Sequence, residues 1–261
     1  MNVELLHPLG AVVTGLSARD VDSKVADRLR TLLADHGVVV LPEQDIDDSD
    51  FVTFLKQFGP LMFTTGETPV DRFPDLNVVS NVGRTAPPRS SFHTDTSYVS
   101  QPPAYTALRA VAVPLTGGDT LFSDQYRAFD TLPNDLRDHL RDRLVTHVVT
   151  GLDPDVLSAL EAETSARHPL FRDHPISGRT ALFLTTPARC VAISGLDERE
   201  TRDTIEFLFQ HSIAPGNLVR HTWSPGDIVM SDNRCVLHRA DHSSVDGDRI
   251  MHRCMVANSV V

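Results

Sequence analysis

The sequence predicts a mainly β chain with helices packed outside its sheets, and three observations carry that prediction. Short apolar segments rich in β-branched residues recur through residues 105–257, explicit turn chemistry separates them, and helical periodicity is confined to a few stretches. No internal repeat, low-complexity tract or interdomain linker interrupts the 261 residues. A single domain over 1–261 is the simplest organisation, because β barrels and sandwiches commonly reach this size as one unit.

Taken in order, residues 17–36 set Val21, Val25, Leu29, Leu32 and Leu33 at helical spacing, and Gly37 supplies a left-handed stop. Val38-Val39-Val40-Leu41, closed by Pro42, reads as a buried strand. Asp48 or Ser49 caps a second helix with Phe51, Val52, Leu55 and Phe58 on one face, ended by Gly59-Pro60. Periodicity then weakens over 62–92, apart from a strand at 76–81, so a lid is expected there. Strands follow at 105–113, 120–122, 144–149, 168–172, 181–184, 218–223, 228–230 and 249–257. Gly117-Gly118-Asp119, residues 173–178 and Ser224-Pro225-Gly226-Asp227 are the turns between apolar runs. Helices are expected near 133–143 and 198–213, and a short helical insertion at 151–167 makes 150–167 a second lid segment.

Composition removes several function classes. With 35 acidic against 24 basic residues the formal charge is −11, opposite to what nucleic acid or an anionic membrane requires of a partner. Cys190, Cys235 and Cys254, with no CxxC, make neither a disulfide framework nor a thiolate zinc site. The apolar runs fall short of a membrane span and Met1-Asn2-Val3-Glu4 lacks the basic start of a signal peptide, so a cytoplasmic setting is expected. Only Lys24 and Lys56 are lysines, which makes any single arginine weak evidence of function.

The chemistry-bearing segment is His93-Thr94-Asp95. In an extended chain alternate side chains share a face, so an imidazole and a carboxylate converge. His238, in Asp232-Asn233-Arg234-Cys235-Val236-Leu237-His238-Arg239, is the candidate third ligand. Two histidines and one carboxylate on one face of an octahedral ion leave the remaining positions for substrate, cosubstrate and O2, the donor set of non-haem Fe(II) oxygenases. On the C-terminal strand Arg249, Met251 and Arg253 alternate onto one face, while Ile250, His252 and Cys254 take the other. Two inward guanidiniums would need anions to meet them. Spacing alone leaves it equally open that both are solvated or paired with the abundant acidic side chains.

Together these pieces resemble the TauD/TfdA family, the taurine and 2,4-dichlorophenoxyacetate dioxygenases that depend on Fe(II) and 2-oxoglutarate. The matching stretches are His93-Thr94-Asp95, Gln101-Pro102-Pro103-Ala104, Pro114-Leu115-Thr116-Gly117-Gly118-Asp119-Thr120-Leu121, His168-Pro169-Leu170 and Gly178-Arg179. Asp232-Asn233-Arg234 with His238, and Arg249-Ile250-Met251-His252-Arg253, complete the set in the family's order over most of the chain. His36-Gly37-Val38-Val39-Val40-Leu41 and Phe58-Gly59-Pro60-Leu61 are also similar.

The resemblance implies a double-stranded β-helix, a cupin-like jelly roll with helices outside. It implies that His93, Asp95 and His238 bind Fe(II), and that Thr120 and Arg249 hold the distal carboxylate of 2-oxoglutarate. Arg253 matches the position that grips an acidic group of the primary substrate, a carboxylate, sulfonate or phosphate; a competing reading gives it only support of the cosubstrate site. The implied reaction consumes O2 and 2-oxoglutarate, releases succinate and CO2, and hydroxylates a C–H bond. Asp95 argues for oxygenation, since related halogenases carry a small residue there. Taurine itself is not expected as substrate, because the histidine after the Phe-Gly motif is replaced in Met62-Phe63-Thr64-Thr65-Gly66-Glu67, and Arg89 stands near the place of an asparagine. Arg84, Arg89 and Tyr98 lie close enough in sequence to line the entrance, but a solvated loop is the expected setting for Arg84 and Arg89 taken singly, and Tyr98 reads equally as an ordinary strand aromatic. With Phe92 placed beside the metal, Arg253, Tyr98 and Phe92 form the substrate set. His242 and His252 are expected outside the ligand set, and Trp223 and the cysteines in the core. Two other classes use similar parts: a cupin-like metal hydrolase, which needs no Thr120–Arg249 clamp, and a non-catalytic 2-oxoglutarate sensor, which can lose a ligand. Homo-oligomers are compatible with all three.

Overall fold

The computed structural model describes residues 1–63, 67–84, 90–151 and 163–258. With strands numbered in chain order, its main sheet runs β1 (Asn2–Leu5), β2 (Ala11–Thr14), β3 (Val38–Leu41), β15 (Ile228–Asp232), β7 (Tyr105–Ala112), β17 (Ile250–Val256), β6 (Phe73–Ser80) and β5 (Pro69–Val70). The short β4 (Leu61–Met62) pairs with the end of β17. Every pairing in it is antiparallel except β2 with β3. A second sheet holds β14 (Leu218–His221), β8 (Thr120–Asp124) and β16 (Val236–Ala240).

Strand alternation explains how the two sheets meet. Val38, Val40, Leu108, Ala110 and Met251 from the main sheet share one buried cluster with Phe122 and Val236 from the smaller sheet. Two sheets facing across such a core make the jelly roll that was expected. Val39, Leu41, Ala107, Ile228 and Cys254, on the opposite face of the main sheet, pack beneath helices.

Those helices are α1 (Ser23–His36) and α2 (Asp48–Lys56), which bury Leu29, Leu33, Phe51, Phe54 and Leu55 on the sheet. Each fully buried side chain of this size contributes about 1.5–3 kcal/mol. The Asp22 carboxylate accepts the Val25 N–H at 2.8 Å to start α1, and Gly37 ends it at φ 73°. Reciprocal bonds between Asp47 and Asp50 start α2, so the cap lies one residue before the expected Asp48.

A third layer holds β9 (Leu144–Val148), β10 (Ser165–Pro169) and β13 (Cys190–Ile193), with the hairpin β11 (Phe171–Asp173) and β12 (Thr180–Leu182). Helices α3 (Gln125–Asp130), α4 (Asn134–Leu140) and α5 (Glu198–Ser212) pack around it through Leu140, Val145, Leu170, Ile205 and Leu208.

Several expectations change. Residues 165–167 are strand rather than helix, because β10 pairs with β9 along its length; residues 152–162 of that segment lie outside the described residues. Much of the expected 62–92 lid is sheet, since β5 and β6 extend the main sheet beside β17; residues 64–66 and 85–89 lie outside the described residues. The expected strand at 168–172 is broken at Leu170, whose N–H bonds Arg143 O while its carbonyl takes Phe183 N–H. No described helix is long and apolar enough to cross a membrane.

Candidate active site

The metal-binding candidates come together at the inner edge of the smaller sheet. His93 forms a two-bond antiparallel bridge to β16, with His93 N–H to His238 O at 3.0 Å and His238 N–H to His93 O at 2.9 Å. Directly opposed residues share a face, so the two rings lie 4.5 Å apart. His238 also alternates with Leu237, which turns outward, and thereby points into the core with Val236. Asp95 follows at a corner where Thr96 adopts φ 46°, a left-handed conformation unusual for a β-branched residue. The corner is fixed from outside. The Thr94 hydroxyl donates to Leu184 O at 2.9 Å, and His168 Nε2 lies 2.8 Å from Ser97 O, in donating range.

One ligand atom from each of His93, Asp95 and His238 lies within 4.8 Å of the others. His93 Nε2 is 3.5 Å from Asp95 Oδ1, and His238 Nε2 is 3.7 Å from Asp95 Oδ2. Burial lowers the pKa of His238 to about 4 against the upward pull of Asp95, so its ring is neutral and free to offer a lone pair. Burial would raise Asp95, yet Arg253, His238 and His93 together hold it well below the usual carboxylate range. A neutral imidazole and an ionised carboxylate are the states that ligate a metal. Two nitrogens and one carboxylate fit Fe(II).

The second expected feature appears at Arg249, the residue immediately before β17. Arg249 is 2% exposed, donates from Nε to Gly118 O at 2.8 Å, and reaches the Thr120 hydroxyl at 3.3 Å. The same hydroxyl accepts Trp223 Nε1–H at 3.0 Å, so the indole expected only as core also sets Thr120. Gly118 is needed because a Cβ there would stand 3.0 Å from Arg249 Cδ at a backbone φ of 76°. Burial lowers the Arg249 pKa to about 10, opposed by Asp119. Among the described residues Arg249 has no ion pair. A buried guanidinium without an anion is the signature of a place made for one, and a dicarboxylate such as 2-oxoglutarate fits it.

Arg253 lies on the same face of β17, opposite Asn77 of β6. Its guanidinium is already engaged: Nε donates to Asn77 Oδ1 at 3.3 Å, one terminal nitrogen to Glu67 Oε1 at 2.9 Å and the other to Asp95 Oδ1 at 3.5 Å. Tyr98 is buried within electrostatic reach of Arg189, Glu67, Asp95 and Arg253, and burial raises its phenol pKa.

Phe92 departs from expectation. It packs with Leu121, Phe209 and Leu237, on the side of the smaller sheet opposite His238, rather than beside the three-ligand cluster. The reason is alternation: one residue from His93, its side chain takes the other face. Arg84 is bonded to Ser80 O at 3.0 Å on the surface, and Arg89 lies outside the described residues. His252 lies on the outer face, with Nδ1 2.7 Å from Asp48 Oδ1. His242 is half-buried near Arg249 and stands apart from the three-ligand cluster.

Four further residues emerge at the site that sequence reading passed over. Thr106 donates to Asp95 Oδ2 at 2.7 Å and accepts from Asn233 Nδ2 at 2.9 Å; Glu67 and Asn77 engage Arg253. Thr106 shares its strand face with Leu108 and Ala110, so the alternation of β7 already aimed a hydroxyl inward.

The family described as "Taurine catabolism dioxygenase TauD, TfdA family" matches residues 2–255. The chain is 30% identical to the alpha-ketoglutarate-dependent 2,4-dichlorophenoxyacetate dioxygenase of Cupriavidus pinatubonensis, over 98% of this chain and 97% of that protein. It is 32% identical to an alpha-ketoglutarate-dependent sulfonate dioxygenase of Saccharomyces cerevisiae, over 97% of this chain and 65% of that protein. The crystal structure of a taurine dioxygenase from Burkholderia xenovorans superposes with a TM-score of 0.84 at 28% identity, covering 98% of this chain and 90% of that one. Jelly roll, donor set and near full-length match agree, and the chain belongs to the TauD/TfdA family of Fe(II)- and 2-oxoglutarate-dependent dioxygenases.

Proposed function

We propose that this dioxygenase hydroxylates a C–H bond of a small acidic substrate, with His93, Asp95 and His238 as the Fe(II) ligands. The observation that carries the reading is the buried three-ligand cluster set beside Arg249, a guanidinium that no described acidic side chain neutralises. When bound, Fe(II) with 2-oxoglutarate and O2 supplies the oxidant, and succinate and CO2 are released.

The protein's own work is positioning. Arg249 and Thr120 take the distal carboxylate of 2-oxoglutarate, the planar guanidinium fixing its orientation. Trp223 and Gly118 hold those two donors in place. Arg253 takes the acidic group of the substrate once Glu67 has given way, and Tyr98 stands beside it. A carboxylate or sulfonate substrate is supported by relatives named for sulfonates and for 2,4-dichlorophenoxyacetate. A cupin-like hydrolase would have no use for the Thr120–Arg249 clamp, and a sensor no need of all three ligands. Three free buried cysteines accord with a reducing cytoplasm.

An anaerobic titration of the apo-protein with Fe(II) and 2-oxoglutarate tests the reading. A saturable visible charge-transfer band is expected. Folded, iron-loaded protein without that band would overturn it. In Arg253→Ala, substrate-independent decay of 2-oxoglutarate should survive while coupled oxidation falls; loss of cosubstrate binding instead would reassign Arg253.

A further inference from the structure

Asp95 has two carboxylate oxygens in unequal surroundings. Each faces one histidine, Oδ1 at 3.5 Å from His93 Nε2 and Oδ2 at 3.7 Å from His238 Nε2, but Oδ2 also accepts the Thr106 hydroxyl at 2.7 Å, whereas Oδ1 has only a long contact to Arg253 at 3.5 Å. Thr106, Asp95 and Asn233 are all at most 5% exposed, so the chain is shielded from bulk water.

Its direction follows from chemistry. An ionised carboxylate only accepts, so the single hydroxyl hydrogen of Thr106 must go to Asp95 Oδ2. Thr106 Oγ1 can then only accept from its other neighbour, which makes the atom of Asn233 at 2.9 Å the amide nitrogen. Both residues are fixed by backbone. Thr106 is paired with Ser231 in β15 and Met255 in β17, and Asn233 N–H bonds Ala104 O at 2.9 Å.

We propose that Thr106, backed by Asn233, is a positioning residue that holds Asp95 as a one-oxygen ligand and thereby keeps a coordination place open for O2. This rests on the ligand assignment above. An octahedral ion held by two histidines and one carboxylate oxygen has room for a bidentate 2-oxoglutarate and one more ligand. A carboxylate bound through both oxygens would fill that last place. Without the hydroxyl, Oδ2 would be a buried charged oxygen with no donor, and the metal would be its nearest source of compensation.

Nitric oxide, which binds Fe(II) as O2 does without turning over, reads the open place directly. Protein loaded with Fe(II) and 2-oxoglutarate under argon is titrated with nitric oxide and followed by electron paramagnetic resonance. Thr106→Val keeps the volume and β-branching of the residue and removes the donor. It is expected to keep the charge-transfer band and to take up nitric oxide about 10-fold or more weakly, in the range of outer-sphere substitutions. Thr106→Ser should restore uptake. Wild-type affinity in the valine variant overturns the proposal. Should that variant fail to fold, Asn233→Ala must weaken uptake in the same direction, and unchanged uptake there overturns the proposal equally. A wild-type protein with no charge-transfer band would instead overturn the ligand assignment, and the proposal with it.

Discussion

Acidification tests how the metal-bearing corner is supported from behind. His147 of β9 has no exposed surface, stacks on Phe183 with centroids 5.5 Å apart, and meets the His168 ring at 5.4 Å. Neither of its ring nitrogens makes a well-formed hydrogen bond. Burial first, and His168 second, lower its pKa from 6.5 to about 3, against a weaker upward pull from the Ser97 carbonyl. The folded value lies below the unfolded one. The stability this residue contributes is therefore complete above about pH 6.5 and is lost progressively as pH falls toward 3. Each unit is worth about 1.4 kcal/mol, so roughly 2 kcal/mol should disappear by pH 5. Urea unfolding of metal-free protein at pH 7 and pH 5, compared with His147→Leu, isolates this share, because His238 and the carboxylates titrate in both proteins. The variant should lose about 2 kcal/mol less than the wild type. Equal losses would refute the argument, and would mean that the ring gains a partner or water when protonated. Because His168 bonds Ser97, two residues beyond Asp95, the same acidification should weaken the support of the metal corner.

Two further outcomes follow from the arginines. Arg249→Gln removes the guanidinium proposed to hold the distal carboxylate and should weaken 2-oxoglutarate binding about 10- to 100-fold, as read from the charge-transfer titration; unchanged affinity would place the cosubstrate elsewhere. Glu67→Gln frees Arg253 from a half-exposed ion pair and should tighten binding of phenoxyacetate or a short alkyl sulfonate roughly two- to five-fold, the range for such pairs. Weaker binding would show that Glu67 helps to hold the substrate.

What was legible in the sequence had local causes. Helix α1 announced itself through Val25, Leu29, Leu32 and Leu33 at helical spacing and a glycine stop, although Val21, read with them, lies before its start at Ser23, and β17 through arginines alternating with Met251. The HxD spacing brought His93 and Asp95 together because a short extended stretch leaves alternate side chains few other places to go. The strand that carries His238 was not anticipated. Val236-Leu237-His238-Arg239-Ala240 mixes polar and apolar residues, and its partner β8 lies more than a hundred residues earlier, so no local signal marks it. The edge strand β1 and its neighbour β2 escaped for a related reason: β1 is exposed throughout and pairs with β2 alone. Phe92 packs away from the three-ligand cluster because adjacent residues of an extended chain take opposite faces, so nearness to His93 in sequence is not nearness in space. Thr106 and Asn233 were invisible as a pair because their meeting depends on β7 and the turn after β15 coming together.

The bridge between His93 and His238 joins the HxD segment to β16 through just two backbone bonds. A metal ion held as proposed by both side chains would consequently be a rivet between two distant lengths of chain. Linkage then makes holding the ion and keeping this seam closed one equilibrium. Iron starvation would leave the jelly roll standing while the seam opens more often, and those openings, with their loosened amides, are where a protease would distinguish the empty protein from the charged one.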